Sequence, residues 1–353
     1  MIKSFTSLRG VFILFIFLHH CMNLYVGGGS MAVTFFFVLG GFVLTLGYKD
    51  KVLQPDFSYK QFILRRCIKF YPLHWICLGV ALILSVSTMQ FGLKDVPILF
   101  LNAALVQTLI PIGKVYFSFN AVSWYLADTM FFALVFPYIF KCIIQFNAKD
   151  RFLFVFSVVI AYLLVMYYVP TDHYHDILYI NPIIRTTDLI YGIMLALCYL
   201  KLKEEPFVIS VIKRYSSFLY CLAFIIIALL VWESCILDKP SRMVAPVYWP
   251  LVGTLLLSVS LADLNTVWGG YNWLKNKFIQ RIGDISFAIF LIHQLVLRCS
   301  TILFDSFEIS QNIFYVIFTF IVTLIVSYIV DYYVIKSITK WLTKRIQPSM
   351  TAR

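Results

Sequence analysis

Charge is scarce in this chain. Of its 353 residues only 13% are Asp, Glu, Lys or Arg, about half the density of an ordinary soluble domain. At that density no water-soluble fold of this size hides 61% apolar residues, 34 of them Phe, so lipid is the solvent for much of the surface. Cysteine pairing is missing too. The eight Cys (Cys21, Cys67, Cys77, Cys142, Cys198, Cys221, Cys235, Cys299) are scattered, and no two have CxxC spacing. The usual signals of a zinc site and of a disulfide framework are therefore absent. No internal repeat, low-complexity segment or polar linker interrupts the apolar runs. One membrane domain over 1–340 is expected, with a short basic tail over 341–353 and no separate soluble module.

What is present is a series of long apolar segments. A spanning helix needs about 20 such residues, and ten segments qualify, near 5–25, 31–48, 70–88, 119–141, 152–169, 183–200, 217–236, 244–261, 283–303 and 312–335. The expected fold class is therefore all-α, a polytopic membrane helix bundle of about ten transmembrane helices. The first segment resembles a secretory signal, but Cys21-Met22-Asn23 follows His19-His20 with no small-residue cleavage pattern, so a retained span is expected. An eleventh run, Val96 to Pro111, is shorter and closes on Pro111-Ile112-Gly113. It is expected to be re-entrant or to lie at the surface.

The net charge of +12 raises nucleic acid as a partner, but in a membrane protein Lys and Arg collect in cytoplasmic loops. With both termini cytoplasmic and Val96–Pro111 not spanning, 23 of the 29 Lys and Arg face the cytoplasm. No nucleic-acid partner is expected, and membrane lipid is.

Ionisable groups inside spans are costly and mark function unless a neighbour satisfies them. Arg9 and His20, eleven residues apart, lie about 20° from perfect alignment on one helix face and about 16 Å apart along it. His19 points about 80° aside, and Asn23, one turn beyond His20, can fix its tautomer. Before the third span, Arg65, Arg66 and Lys69 stack on one side of a helix. Such a cluster suits lipid headgroups or the phosphates of a soluble donor. Trp124, Asp128, Arg185, Asp188, Glu233 and Arg298 collect toward the outer side, where they can line a polar cavity with His20. Arg185 and Asp188 can equally form a structural ion pair. His293 stands near mid-membrane. The loop Asp172-His173-Tyr174-His175-Asp176 has no further ligands at useful spacing, so no metal site is expected.

At this point the chain resembles the family 3 membrane acyltransferases, bacterial proteins that O-acylate surface polysaccharides. The resemblance rests on Ser7-Leu8-Arg9-Gly10 with His20, Phe36-Phe37-Val38-Leu39-Gly40-Gly41-Phe42, Arg65-Arg66 through Tyr71-Pro72-Leu73, and Trp124-Tyr125-Leu126 with Phe136-Pro137. Arg185 with Asp188 and Gly192 follows, then Ile282-Gly283-Asp284-Ile285-Ser286-Phe287 and Leu291-Ile292-His293. In this chain Lys69 stands where the family carries a second Arg, and Ala127-Asp128-Thr129 where many relatives carry Ser and then a Glu at the Thr129 position. The extracytoplasmic hydrolase-like domain that some relatives append is not expected.

The resemblance implies catalytic roles for Arg9 and His20, with Asp128 and His293 as further candidates, and donor binding by Arg65, Arg66 and Lys69. Trp124, Arg185 and Asp188 are candidates for the acceptor. The implied donor is an acyl-CoA, acetyl-CoA first, with no tightly bound cofactor. The implied acceptor is a carbohydrate (O-antigen, capsule or exopolysaccharide, or a lipid-linked precursor) at the bacterial cytoplasmic membrane. The alternative on the same span count is a transporter or flippase of a lipid-linked sugar, although the paired broken helices and repeats of many transporters are not apparent.

Overall fold

A computed structural model describes residues 2–22, 29–264, 273–310 and 312–346. Asn23 and the end of the basic tail, 347–353, lie outside the described residues. Among those described there is no strand. The helices are α1 (Ser4–Met22), α2 (Gly29–Val52), α3 (Tyr59–Ser87), α4 (Val96–Ala103), α5 (Gly113–Tyr116), α6 (Ser123–Gln145) and α7 (Ala148–Tyr168). They continue with α8 (Pro182–Leu202), α9 (Pro206–Ile236), α10 (Ala245–Ala262), α11 (Lys277–Asp284), α12 (Ser286–Ser306), α13 (Ile313–Ile329) and α14 (Lys336–Ile346). Ten helical stretches are long and apolar enough to cross a bilayer, one for each expected segment. The chain is a multi-pass all-α membrane protein.

Val96–Pro111 does not form a spanning helix. At about 1.5 Å per residue the eight residues of α4 cover only ~12 Å, less than half a hydrocarbon core. Leu105, at φ 57°, ends it in the left-handed region. Its last carbonyls would be orphans in an apolar setting, and α3 satisfies them. Tyr71 donates to the Ala104 carbonyl at 2.8 Å, Trp75 Nε1 to that of Ala103 at 3.0 Å, and His74 Nε2 meets that of Asn102 at 2.8 Å. These three aromatics stand at i, i+3 and i+4 on α3, so one helix face caps the end of the next.

The chain divides into two compact units. The first holds residues 1–19, 24–57 and 134–284, the second 20–23, 58–133 and 285–353. In the first unit α2 and α8 cross at two glycines. A Cβ on Gly41 would lie 2.4 Å from the Leu189 carbonyl oxygen, and one on Gly192 2.2 Å from that of Val38. Only glycine lets the backbones meet this closely, the usual device where lipid gives helices no hydrophobic reason to associate. The start of α1 is fixed by Asp263, whose carboxylate accepts from the Ser4 amide at 3.0 Å, the Ser4 hydroxyl at 2.6 Å and Tyr220 at 2.7 Å.

In the second unit α3 and α12 run parallel and in register, with Phe70 against Phe287 (ring centroids 5.5 Å apart). α13 returns antiparallel to α12, with Tyr315 hydrogen-bonded to Thr301 at 3.0 Å. Asn side chains at 147, 181 and 312 accept from amides in the first turns of α7, α8 and α13, which is how these spans begin.

Candidate active site

Two of the four candidate catalytic residues meet. In the second unit His20, exposed near the end of α1, places Nδ1 3.2 Å from Nε2 of the fully buried His293. His293 Nδ1 in turn lies 3.0 Å from the Ile289 carbonyl, one turn back on α12. A carbonyl only accepts, so His293 Nδ1 carries the proton. The neutral ring then presents Nε2 as an acceptor, and His20 Nδ1 is the donor to it. This relay puts the basic lone pair on His20 Nε2. Orienting one imidazole through a second donor–acceptor pair is the usual way a protein selects a tautomer. The neighbouring His19 packs against Gly29, where an added Cβ would lie 2.9 Å from its ring.

Two hydrogen bonds tie α12 to the turn before α6, one in each direction. Asn120 Nδ2 donates to the Leu291 carbonyl at 2.9 Å, and Arg298 Nη1 to that of Phe119 at 3.0 Å. Phe119 is itself left-handed, at φ 58°. Asn120, fully buried at the entrance to α6, was missed in the sequence reading, because an Asn in a turn is ordinarily just a turn residue. One turn further on, Trp124 and Asp128 are both buried on α6. Tyr125, beside Trp124, packs its ring 4.8 Å from Phe290 of α12.

The basic cluster sits in the first turns of α3, a helix opened by Ser58, whose hydroxyl accepts from the Gln61 amide. Arg65 and Lys69 are exposed. The Arg66 guanidinium lies over Phe62 at 5.2 Å, and the Lys69 ammonium over Phe70 at the same distance. The aromatic faces hold the cations without consuming their donors.

The remaining candidates belong to the first unit. Arg9 is half-buried on α1. Arg185 and Asp188 are fully buried as an ion pair at 3.0 Å. Asp188 also accepts from Trp249 Nε1 at 2.6 Å, and Arg185 donates to Thr34 at 3.2 Å and covers the face of Phe37 at 4.8 Å. Those bonds join α2, α8 and α10, and neither side chain reaches the surface. In the loop before α8, His175 Nδ1 lies 3.5 Å from Asp176, and burial pushes its imidazole below the ordinary range.

With this geometry in place, the comparison with known proteins is decisive at the level of family. Residues 2–332 match the model of the acyltransferase 3 family, described as an acyltransferase domain. The chain belongs to that family. It is similar to the acyltransferase MdmB of Streptomyces mycarofaciens, 25% identical over 291 residues that make up 76% of this chain and 68% of MdmB. It is also similar to a Staphylococcus aureus (strain COL) protein named as an O-acetyltransferase, 23% identical over 315 residues, 84% of this chain and half of that protein's length. No solved structure matches it. The acyltransferase 3 match makes the chain an enzyme that transfers acyl groups, and the transporter alternative falls away.

Proposed function

We propose that this acyltransferase moves an acyl group from a CoA thioester onto a hydroxyl of a surface glycan or its lipid-linked precursor, with His20 as general base. One observation carries the reading: the relay from the Ile289 carbonyl through His293 to His20, which holds a neutral imidazole with its lone pair on Nε2. Nε2 takes the proton of the acceptor hydroxyl as that oxygen attacks the thioester carbonyl. The carbon–sulfur bond breaks, and the departing thiolate takes the proton back, giving an ester and free CoA. A base positioned in this way contributes about 10²–10⁴ in rate.

Arg65, Arg66 and Lys69 supply the charge for the donor's phosphates. Lys69 lies about seven residues, or ~10 Å of helix, from the level of His293 by the Phe70–Phe287 register. The thin pantetheine arm suits such a separation. For Arg9, on the helix that carries His20, the family resemblance supports a catalytic role. Arg185 and Asp188, buried and paired with each other, hold helices together in this reading, leaving Trp124 and Asp128 as the candidates nearest the acceptor. O-antigen, capsule and exopolysaccharide are the acceptor classes favoured by the family resemblance, at a bacterial cytoplasmic membrane with both termini inside.

The test is transfer of label from radiolabelled acetyl-CoA to envelope glycan, comparing the intact protein with His20→Ala at matched membrane abundance. Label that depends on His20 is the expected result; equal label with both proteins removes His20 from the mechanism. Because the base must be neutral, transfer is expected to fall as the medium is acidified.

A further inference from the structure

Beside the histidine pair, the second unit contains a cleft of about 380 Å³ formed by α3, α12 and α13. Leu73, Cys77, Ile292, Val296, Val322 and Val326 are among the residues that line it, and Ser300 is the one polar residue of the lining. The α12 wall runs from Ile292 to Leu303, about 16 Å of helix. The α12 wall therefore begins at the level of His293, whose side chain leaves the helix about 60° from that of Val296. Because α13 runs antiparallel, Val330 closes the inner end, while Phe318, packed on Phe304 at 5.5 Å, marks the outer one. One flank is open, with Ile76, Val80 and Leu303 each more than a third exposed.

The same stripe of α3 joins this cleft to the cationic turn. Arg66, Lys69, Leu73, Ile76, Cys77 and Val80 fall within about 100° of one another around the helix. Along one line the protein thus presents cations, then the level of the histidine pair, then an uncharged channel leading away from it. Those are the successive needs of a molecule with phosphates at one end, a thioester in the middle and a hydrocarbon chain beyond. A membrane phospholipid is the rival occupant, but its chains begin within a few bonds of its phosphate, whereas the level of His293, where the thioester would sit, lies about two turns of helix from Lys69.

We infer that the cleft receives the hydrocarbon tail of the acyl group being transferred, so that the natural donor is an acyl-CoA with a chain longer than acetyl. This rests on the proposed role of the histidine pair and adds the substrate class to it. Each methylene that moves from water into the cleft tightens binding by up to about fourfold.

The experiment compares acetyl-, butyryl-, hexanoyl- and octanoyl-CoA as donors to envelope glycan, using the full chain in proteoliposomes. The expected result is a KM that falls by about two- to fourfold per added methylene. Val322→Phe, which fills the cleft, should lower the octanoyl-to-acetyl ratio of kcat/KM at least tenfold, and Phe318→Ala should shift the optimum to longer chains. Should the variants not fold, Cys299, on the cleft wall, gives a direct readout in a protein whose only cysteine it is. Octanoyl-CoA should slow its maleimide labelling and acetyl-CoA should not. Acetyl transfer with octanoyl-CoA refused, or a chain-length profile unchanged by Val322→Phe, overturns the inference and leaves the cleft as a place where bilayer lipid rests, while the His20 mechanism stands. Transfer from no acyl-CoA of any length overturns both.

Discussion

At the residue scale the proposed chemistry is concentrated in two imidazoles contributed by helices far apart in the chain. His20→Ala removes the base and should lower kcat by about 10²–10⁴. His293→Ala leaves the base in place but unoriented, so transfer should fall by at least roughly tenfold with its pH profile displaced. A purely structural role would lower the amount of folded protein without moving that profile. Half of this pair was legible in the sequence. The ~20° alignment of Arg9 with His20 picked His20 over His19 from helical geometry alone. His293 stood out as an ionisable group at mid-span, but its contact with His20 bridges 273 positions, and no local pattern encodes that. Asn120 was invisible for another reason: its value lies in the carbonyl it reaches on α12, while its type and position look like ordinary turn chemistry.

At the element scale the spans are held by close backbone approach and by buried polar ties. Gly192→Ala would press a methyl group against the Val38 carbonyl, and overpacking of this kind costs about 1–3 kcal/mol. A lower unfolding temperature in detergent is the expected readout. Arg185→Met leaves Asp188 buried beside Trp249 without its cation, a loss of about 3–5 kcal/mol, whereas Arg185→Met with Asp188→Leu should recover much of it. If the pair is structural, the folded double variant retains acyl transfer; a stable but inactive double variant would return these residues to substrate binding. His74→Phe removes the side-chain partner of the Asn102 carbonyl, which keeps the Leu105 amide at 3.0 Å, at a cost of about 0.5–1.5 kcal/mol, and should raise hydrogen exchange across residues 96–104. Ten spans could be read from the sequence because each must supply about 20 apolar residues. The start of α3 could not: the helix begins at Tyr59 rather than near 70, since its first turns carry Arg65, Arg66 and Lys69. Those residues do not count as apolar, yet Ser58 caps the helix ahead of them, and Arg66 and Lys69 pack on aromatic rings.

At the scale of the whole molecule, the ten candidate spans among the described residues would put the two termini on one side, and the proposed orientation, from the distribution of Lys and Arg, has that side in the cytoplasm. Two exposed cysteines give the check. Cys142 stands beside Lys141 at the end of α6, and Cys235 near the end of α9, at the opposite face in this topology. In single-cysteine proteins a membrane-impermeant maleimide applied to intact cells should label Cys235 and leave Cys142 until the cells are opened. The reverse pattern would invert the topology and place the cationic turn of α3 away from cytoplasmic CoA.

The most direct test of the central claim is a double-mutant cycle on acyl transfer, with His20→Ala, His293→Ala and the double variant assayed at matched abundance from one acyl-CoA donor. If His293 acts through His20, the double variant is no slower than His20→Ala alone. Two losses that multiply would mean that the histidines act independently, and a His293→Ala protein with full activity and an unshifted pH profile would contradict the relay.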